Sequence, residues 1–161
     1  MNFLNTHLIL YPVLLPLIGA LIAIVVRKNY RLQQLGSLAI LSVSFLASLW
    51  LVLLVHNQNS PIAYQLGGWN APMGIVFVAD LLSAIFVFMV QLVMLAGLVY
   101  ALGSKDDVTC YPMFYPLFLT MATSLSGAFL TGDLFNLFVF AELLVISGTV
   151  LTALSDDRYG V

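Results

Sequence analysis

Glu142 lies in an apolar stretch from Leu134 to Leu154, with Phe138, Val139, Phe140 and Ala141 before it and Leu143, Leu144, Val145 and Ile146 after. A carboxylate at the centre of a bilayer helix costs roughly 2.5 to 3.5 kcal/mol on insertion scales, so such groups face a protein interior or a water path. The chemistry open to it is proton handling. In hydrocarbon a carboxyl group keeps its proton, and a cation brought alongside stabilises the ionised form, so a movable lysine would switch the site between holding and releasing. Thr149, two turns along the same face, and Ser147 and Gly148 nearby add small or polar groups. The competing role is structural, a neutral carboxyl hydrogen-bonded to a neighbouring helix. No Lys or Arg falls inside any apolar span, so the cation must come from residues outside this chain.

Four further features carry side chains of interest. Thr120, Thr123, Ser124, Gly127 and Thr131 fall within about 60 degrees of one helical direction, which makes one face of their segment small and polar. Such a face either lets helices pack closely or forms the hydrated wall of a proton path, and Glu142 is expected beside it. Asp133 is placed to cap the helix that follows, where hydrogen bonding and the helix dipole favour a carboxylate. Asn136, one turn further, either joins that cap or bonds across to another helix. Asp80 precedes the third apolar segment with Ser83 three residues on, a capping arrangement expected ahead of a proton-handling role.

The elements that position these groups are membrane helices. Of 161 residues 62% are hydrophobic and only 7% charged, and the mean hydropathy is +1.08. A soluble domain carries about 25% charged residues. Five Lys and Arg residues cannot form a basic face for nucleic acid. The lone Cys110 rules out an internal disulfide and leaves no thiolate pair for a metal or iron–sulfur cluster.

About 20 apolar residues cross a hydrocarbon layer of about 30 Å, which predicts five spans: Leu8 to Val26, Leu35 to Val55, Leu81 to Leu102, Met113 to Thr131 and Leu134 to Leu154. Together they make residues 1–161 one all-α membrane domain. The first span is a retained helix and not a signal peptide, because its positive charges, Arg27, Lys28 and Arg31, follow it. Pro116 sits in the first turn of the fourth, where it is tolerated. Five alternating spans place Arg27, Lys28, Arg31, Lys105 and Arg158 on one face, which the positive-inside rule makes cytoplasmic. The N-terminus is then outside and the C-terminus inside, in the plasma or inner membrane.

The loop 56–78 between the second and third spans is rich in turn residues: Asn57, Asn59, Ser60 and Pro61, then Gly67 and Gly68, then Pro72 and Gly74. Strand-like residues Ile62 to Tyr64 and Ile75 to Val78 predict a small hairpin or ordered cap on the outer face, with Trp69 at the interface.

Two runs carry a family resemblance. Gly67-Gly68-Trp69-Asn70-Ala71-Pro72-Met73-Gly74-Ile75, followed by Val78-Ala79-Asp80-Leu81-Leu82-Ser83, resembles the outer loop and third helix of antiporter-like subunits. Gly132-Asp133-Leu134-Phe135-Asn136-Leu137-Phe138-Val139-Phe140-Ala141-Glu142 resembles their fifth helix. These are the proton-translocating subunits of respiratory complex I and of multi-subunit Mrp sodium/proton antiporters, and the phrasing is most similar to the Mrp D-type subunit.

The resemblance implies a fold of about fourteen helices with two inverted five-helix repeats, of which this chain would be the N-terminal third. It implies that Glu142 is the family's key glutamate, paired with a lysine on a later helix. The chain reaches Val161 without those lysines, so it is expected to be an N-terminal piece or one part of a split subunit. The expected function is part of a proton-conducting subunit that couples proton movement to sodium exchange or to NADH/quinone-type electron transfer elsewhere. The alternative is a non-transporting scaffold. No redox or other catalytic site is visible, and no cofactor or metal is expected. The expected partners are the lipid bilayer and other membrane subunits of the assembly, including whichever segment supplies the lysines.

Overall fold

The computed structural model describes residues 7–58, 60–68, 74–104 and 107–156. The expectation for Trp69, the Asn70 to Met73 part of the loop motif, and the basic residues Lys105 and Arg158 fall outside them. Five helices form the body: α1 (Tyr11–Val25), α2 (Tyr30–Gln58), α3 (Leu81–Ser104), α4 (Phe114–Leu130) and α5 (Leu134–Asp156). A single 3-10 turn, Leu8–Leu10, leads into α1. Between α2 and α3 the chain forms an antiparallel pair, β1 (Ile62–Gln65) and β2 (Val76–Ala79), with Ile62 opposite Ala79 and Gln65 opposite Val76. Gly67 and Gly68 take positive φ of 68° and 75° in the turn, a conformation other residues adopt only at a cost.

Helix ends follow local chemistry more than hydropathy. At 29 residues α2 outruns its apolar stretch, because the Asn29 side chain accepts from the Leu32 amide at 3.4 Å and starts the helix early. Among the described residues α2, α3, α5 and the run Leu8–Val25, which joins the 3-10 turn to α1, are long and apolar enough to cross a membrane; α4, with 17 residues, falls just short of that length. At 1.5 Å per residue it reaches about 26 Å.

That short helix sits at the centre of the bundle, packed against α1, α3 and α5. Two apolar cores surround it. One, at the hairpin end, joins Ile9, Val13, Leu51, Phe77, Val87 and Phe140. The other, towards the end bearing Arg27, Lys28 and Arg31, joins Ala20, Leu41, Leu98, Tyr115 and Leu119. Large apolar side chains cover the outside, among them Leu21, Leu46, Val93 and Phe135, as a lipid-facing surface requires.

Two prolines open the backbone ladder inside this bundle, and two glutamines close it. Pro16 has no N–H to offer the carbonyl of Pro12 four residues earlier. Gln91 of α3, fully buried, donates its Nε2 to that carbonyl at 3.0 Å and to Ser126 Oγ at 2.9 Å. Pro116 likewise leaves the Pro112 carbonyl without a partner, and Gln33 of α2 donates to it at 2.9 Å and to the Ala23 carbonyl at 2.8 Å. Each glutamine stitches separate helices through a group the sequence had left exposed. Replacing Gln91 by Leu is expected to destabilise the protein by about 1–3 kcal/mol, the cost of a stranded buried acceptor. Thermal unfolding in detergent would measure it. In a Pro16→Ala background, where the helix supplies its own N–H, the same substitution should cost clearly less.

Candidate functional site

The turn between α4 and α5 is held against the hairpin before α5 begins. Asp133 Oδ1 accepts from the Asn136 amide at 2.7 Å, which caps α5, and Oδ2 accepts from the Val76 amide of β2 at 3.3 Å. The Gly132 amide donates to the Val76 carbonyl at 2.7 Å, so both edge groups of Val76 are satisfied and the turn is tied to the strand there. The Asn136 side chain, 5% exposed, donates to Thr131 Oγ1 at 3.0 Å. Asp133 thus joins a helix start to the hairpin, and Asn136 completes the corner. Asp133→Ala is expected to cost about 1–2 kcal/mol through the lost cap alone, read as a lower unfolding temperature; Asp133→Asn, which keeps an acceptor, should recover most of it.

Asp80 and Ser83 form a reciprocal cap on α3. The Ser83 amide donates to Asp80 Oδ1 at 2.7 Å, and the Asp80 amide donates to Ser83 Oγ at 3.0 Å. The Ser83 amide and then its hydroxyl hold the Asp80 carboxyl below its ordinary range, against a small opposing effect of burial. The stability this brings is present above the unfolded-state value and is lost as pH falls through the lowered one. Asp80 is exposed.

The polar stripe of α4 is spent on its own helix. Thr120 donates to the Pro116 carbonyl at 2.8 Å, Thr123 to the Leu119 carbonyl at 3.1 Å and Ser124 to the Thr120 carbonyl at 2.8 Å. Gly127, in the same stripe, receives the ring of Phe140 from α5; an added Cβ would overlap that ring. This geometry is that of close helix packing through small residues.

Glu142 lies elsewhere. The side of α5 carrying Asn136, Phe140 and Ser147 is buried, with Phe140 on α4, while Glu142 is exposed on the opposite side. The expectation that it borders the α4 stripe is therefore corrected: Phe140 takes that place, two residues and about half a helical turn away. Around Glu142 on the outward face stand Phe135, Phe138, Val145 and Ile146, which are 75%, 62%, 59% and 55% exposed. Thr149 shares this face and returns its hydroxyl to the Val145 carbonyl at 2.8 Å. Only 11% of the apolar stretch of α5 is buried, against 44% for the stretch that includes α1.

Of the predicted site residues, the structure joins Asp133 with Asn136, and Thr120, Thr123, Ser124 and Gly127 with one another. Glu142 and Thr149 are together on the far side of α5. Gln33, Gln91 and Ser126 were not among the predicted residues. The signal for them was the recurrence of Tyr-Pro-x3-Pro at Tyr11–Pro16 and Tyr111–Pro116, which leaves a buried carbonyl to be satisfied twice over. Among the described residues no group of three or more His, Cys, Asp or Glu could hold a metal ion.

No protein-family profile matches the chain. It is similar, at 35% identity over 95% of its length, to the D-type subunit of a Na(+)/H(+) antiporter of Alkalihalophilus pseudofirmus. At 37% identity over 96% it is similar to the putative antiporter subunit mnhD2 of Staphylococcus haemolyticus. It spans 31% of the length of each of these relatives. Among solved structures, a chain of the Mrp complex from Dietzia sp. DQ12-45-1b superimposes with a TM-score of 0.80 at 31% identity, over 91% of this chain and 27% of that one. A chain of the membrane-bound sulfane sulfur reductase, an archaeal respiratory membrane complex, does so with a TM-score of 0.79 at 28% identity, over 88% of this chain and 29% of that one.

Proposed function

We propose, from the premise that the chain belongs to the antiporter-like subunits of Mrp-type membrane complexes and corresponds to their N-terminal part, that it supplies the carboxylate half of a proton-handling site. The observation that carries this is Glu142 on the outward face of α5. A carboxylate cannot be left in lipid at that depth without a large cost, so this face is the side on which the rest of the subunit packs. A cationic side chain from that portion completes the pair. The hairpin and the Asp133 corner fix the start of α5, and α4 backs it, so Glu142 is presented from a supported helix.

The scaffold alternative has its own support in the hydroxyls of Thr120, Thr123 and Ser124, which return to the backbone of α4. Proton movement into vesicles containing the complete complex, followed with a pH-sensitive dye, separates the two. A sodium gradient that drives proton movement assigns sodium as the exchanged ion. A complex whose proton flux ignores every cation gradient removes the antiport reading, and one that moves no protons leaves the scaffold.

The orientation belongs to the same proposal: N-terminus outside, with the turn of Arg27, Lys28 and Arg31 in the cytoplasm. Cys110 is exposed in the loop at that end and reports on it directly. A membrane-impermeant maleimide should label Cys110 in inside-out vesicles and spare it in right-side-out ones; the reverse pattern inverts the topology.

A further inference from the structure

At the end of the bundle away from the hairpin, α1 and α2 diverge around a groove of about 170 Å³ whose lining includes Gly19, Val26, Leu32, Gly36, Ser37 and Ile40. We propose that this groove seats one acyl chain of an anionic phospholipid whose headgroup is held by Arg27, Lys28 and Arg31. The inference needs only that the bundle spans a membrane and is independent of the role given to Glu142.

Three observations converge on that occupant. First, the hollow is present in the packing: a Cβ built on Gly36 meets no atom within 4 Å, and apart from Ser37 and Gln33, whose amide is engaged by the Ala23 and Pro112 carbonyls, the walls are apolar. Second, the mouth is cationic. Val26 and Leu32, which line the groove, directly precede Arg27 and follow Arg31, and all three basic side chains of the turn are exposed. No Asp or Glu occurs anywhere from Met1 to Gln58, so this attraction is not cancelled from within α1, α2 or their turn. Basic pockets between membrane helices on the positive side are where anionic lipid headgroups bind. Third, Ser37 in the wall is 2% exposed, and its hydroxyl has no hydrogen-bond partner among the described residues. It lies six residues beyond Arg31, about 9 Å deeper along the helix. Turned about its Cα–Cβ bond into the groove, this stranded donor would find an acceptor in a lipid ester carbonyl.

Native mass spectrometry of the full-length protein that carries this chain, purified in detergent and titrated with phosphatidylglycerol or phosphatidylcholine, tests the proposal. Phosphatidylglycerol should bind as a discrete adduct, at least tenfold more tightly than phosphatidylcholine. The variant R27Q/K28Q/R31Q should lose that preference and keep the weaker phosphatidylcholine binding. Gly36→Leu, which fills the hollow with every charge in place, should also lower phosphatidylglycerol binding; if it does not accumulate, Leu32→Trp narrows the groove from its exposed rim. Equal binding of the two lipids, or no effect of the charge variant, overturns the proposal. A charge variant that weakens binding while both groove variants leave it intact overturns the seated chain. A photoactivatable phosphatidylglycerol should cross-link to the groove in native membranes, and a groove sealed there by another polypeptide segment overturns the assignment.

Discussion

Glu142→Gln in the complete complex is expected to lower proton transport at least tenfold while leaving the amount of folded protein unchanged. Positioned proton-transfer groups contribute on the order of 10² to 10⁴ in rate, so tenfold is a conservative floor. The structure makes this substitution informative, because Glu142 sits on the outward side of α5 and has no hydrogen bond to a described residue of the chain. Nothing in the α4–α5 packing depends on it. Glutamine keeps the volume and a hydrogen-bonding end but cannot carry the proton. Glu142→Asp keeps the proton but draws it back by one methylene, so it should retain part of the activity. Proton uptake by vesicles, read against the unfolding temperature of the same preparations, separates the outcomes. Full transport by Glu142→Gln would remove the assigned role. Loss of transport together with loss of the folded complex would instead mark Glu142 as a packing group at the junction with the rest of the subunit.

That apolar helices form near Leu8, Leu35, Leu81 and Leu134 was legible because runs of that length satisfy their backbone in a bilayer only as helices; their ends were not, as the start of α2 at Tyr30 shows. The hairpin was legible from turn residues on either side of Ile62–Gln65 and Val76–Ala79. The caps at Asp80 and Asp133 were legible because an acid before an apolar run has few other uses. The facing of α5 was not, because the helix is apolar all round and no periodic stripe distinguishes the side that meets α4 from the side that does not. Its rotation is held by Phe140 packed on Gly127, with Asn136 and Ser147 buried on the same side, a fit visible only when both helices are in place. The glutamine stitches were hidden for a related reason. A lone Gln91 in an apolar run reads as an expense until the carbonyl that Pro16 releases is counted as its partner.

That steric fit predicts the largest stability effect in the chain. A Cβ on Gly127 would overlap Cδ1, Cε1 and Cζ of Phe140, and the ring is backed in turn by Phe77 of the hairpin at a centroid distance of 6.3 Å. The buried ring must be displaced to admit a larger group, so Gly127→Leu is expected to cost about 3 kcal/mol, the upper part of the range for overpacking, seen as a marked drop in unfolding temperature. Gly103→Ala in α3 is the control: no atom lies within 4 Å of the added group, and the gain in helix propensity should make that change neutral or mildly stabilising. If the cost of Gly127→Leu comes from the ring, shortening the ring should return part of it. Gly127→Leu combined with Phe140→Leu should be more stable than the two separate losses predict, with a coupling of about 1–2 kcal/mol, as neighbours in direct contact show. Strict additivity would mean that Gly127 matters for another reason, such as its own helix. The same rotation of α5 that Phe140 enforces also aims Glu142 outward. If Glu142 acts as proposed, a complete complex carrying Gly127→Leu that still folds should therefore move protons poorly although Glu142 itself is intact, and the Phe140→Leu partner should restore transport in step with stability.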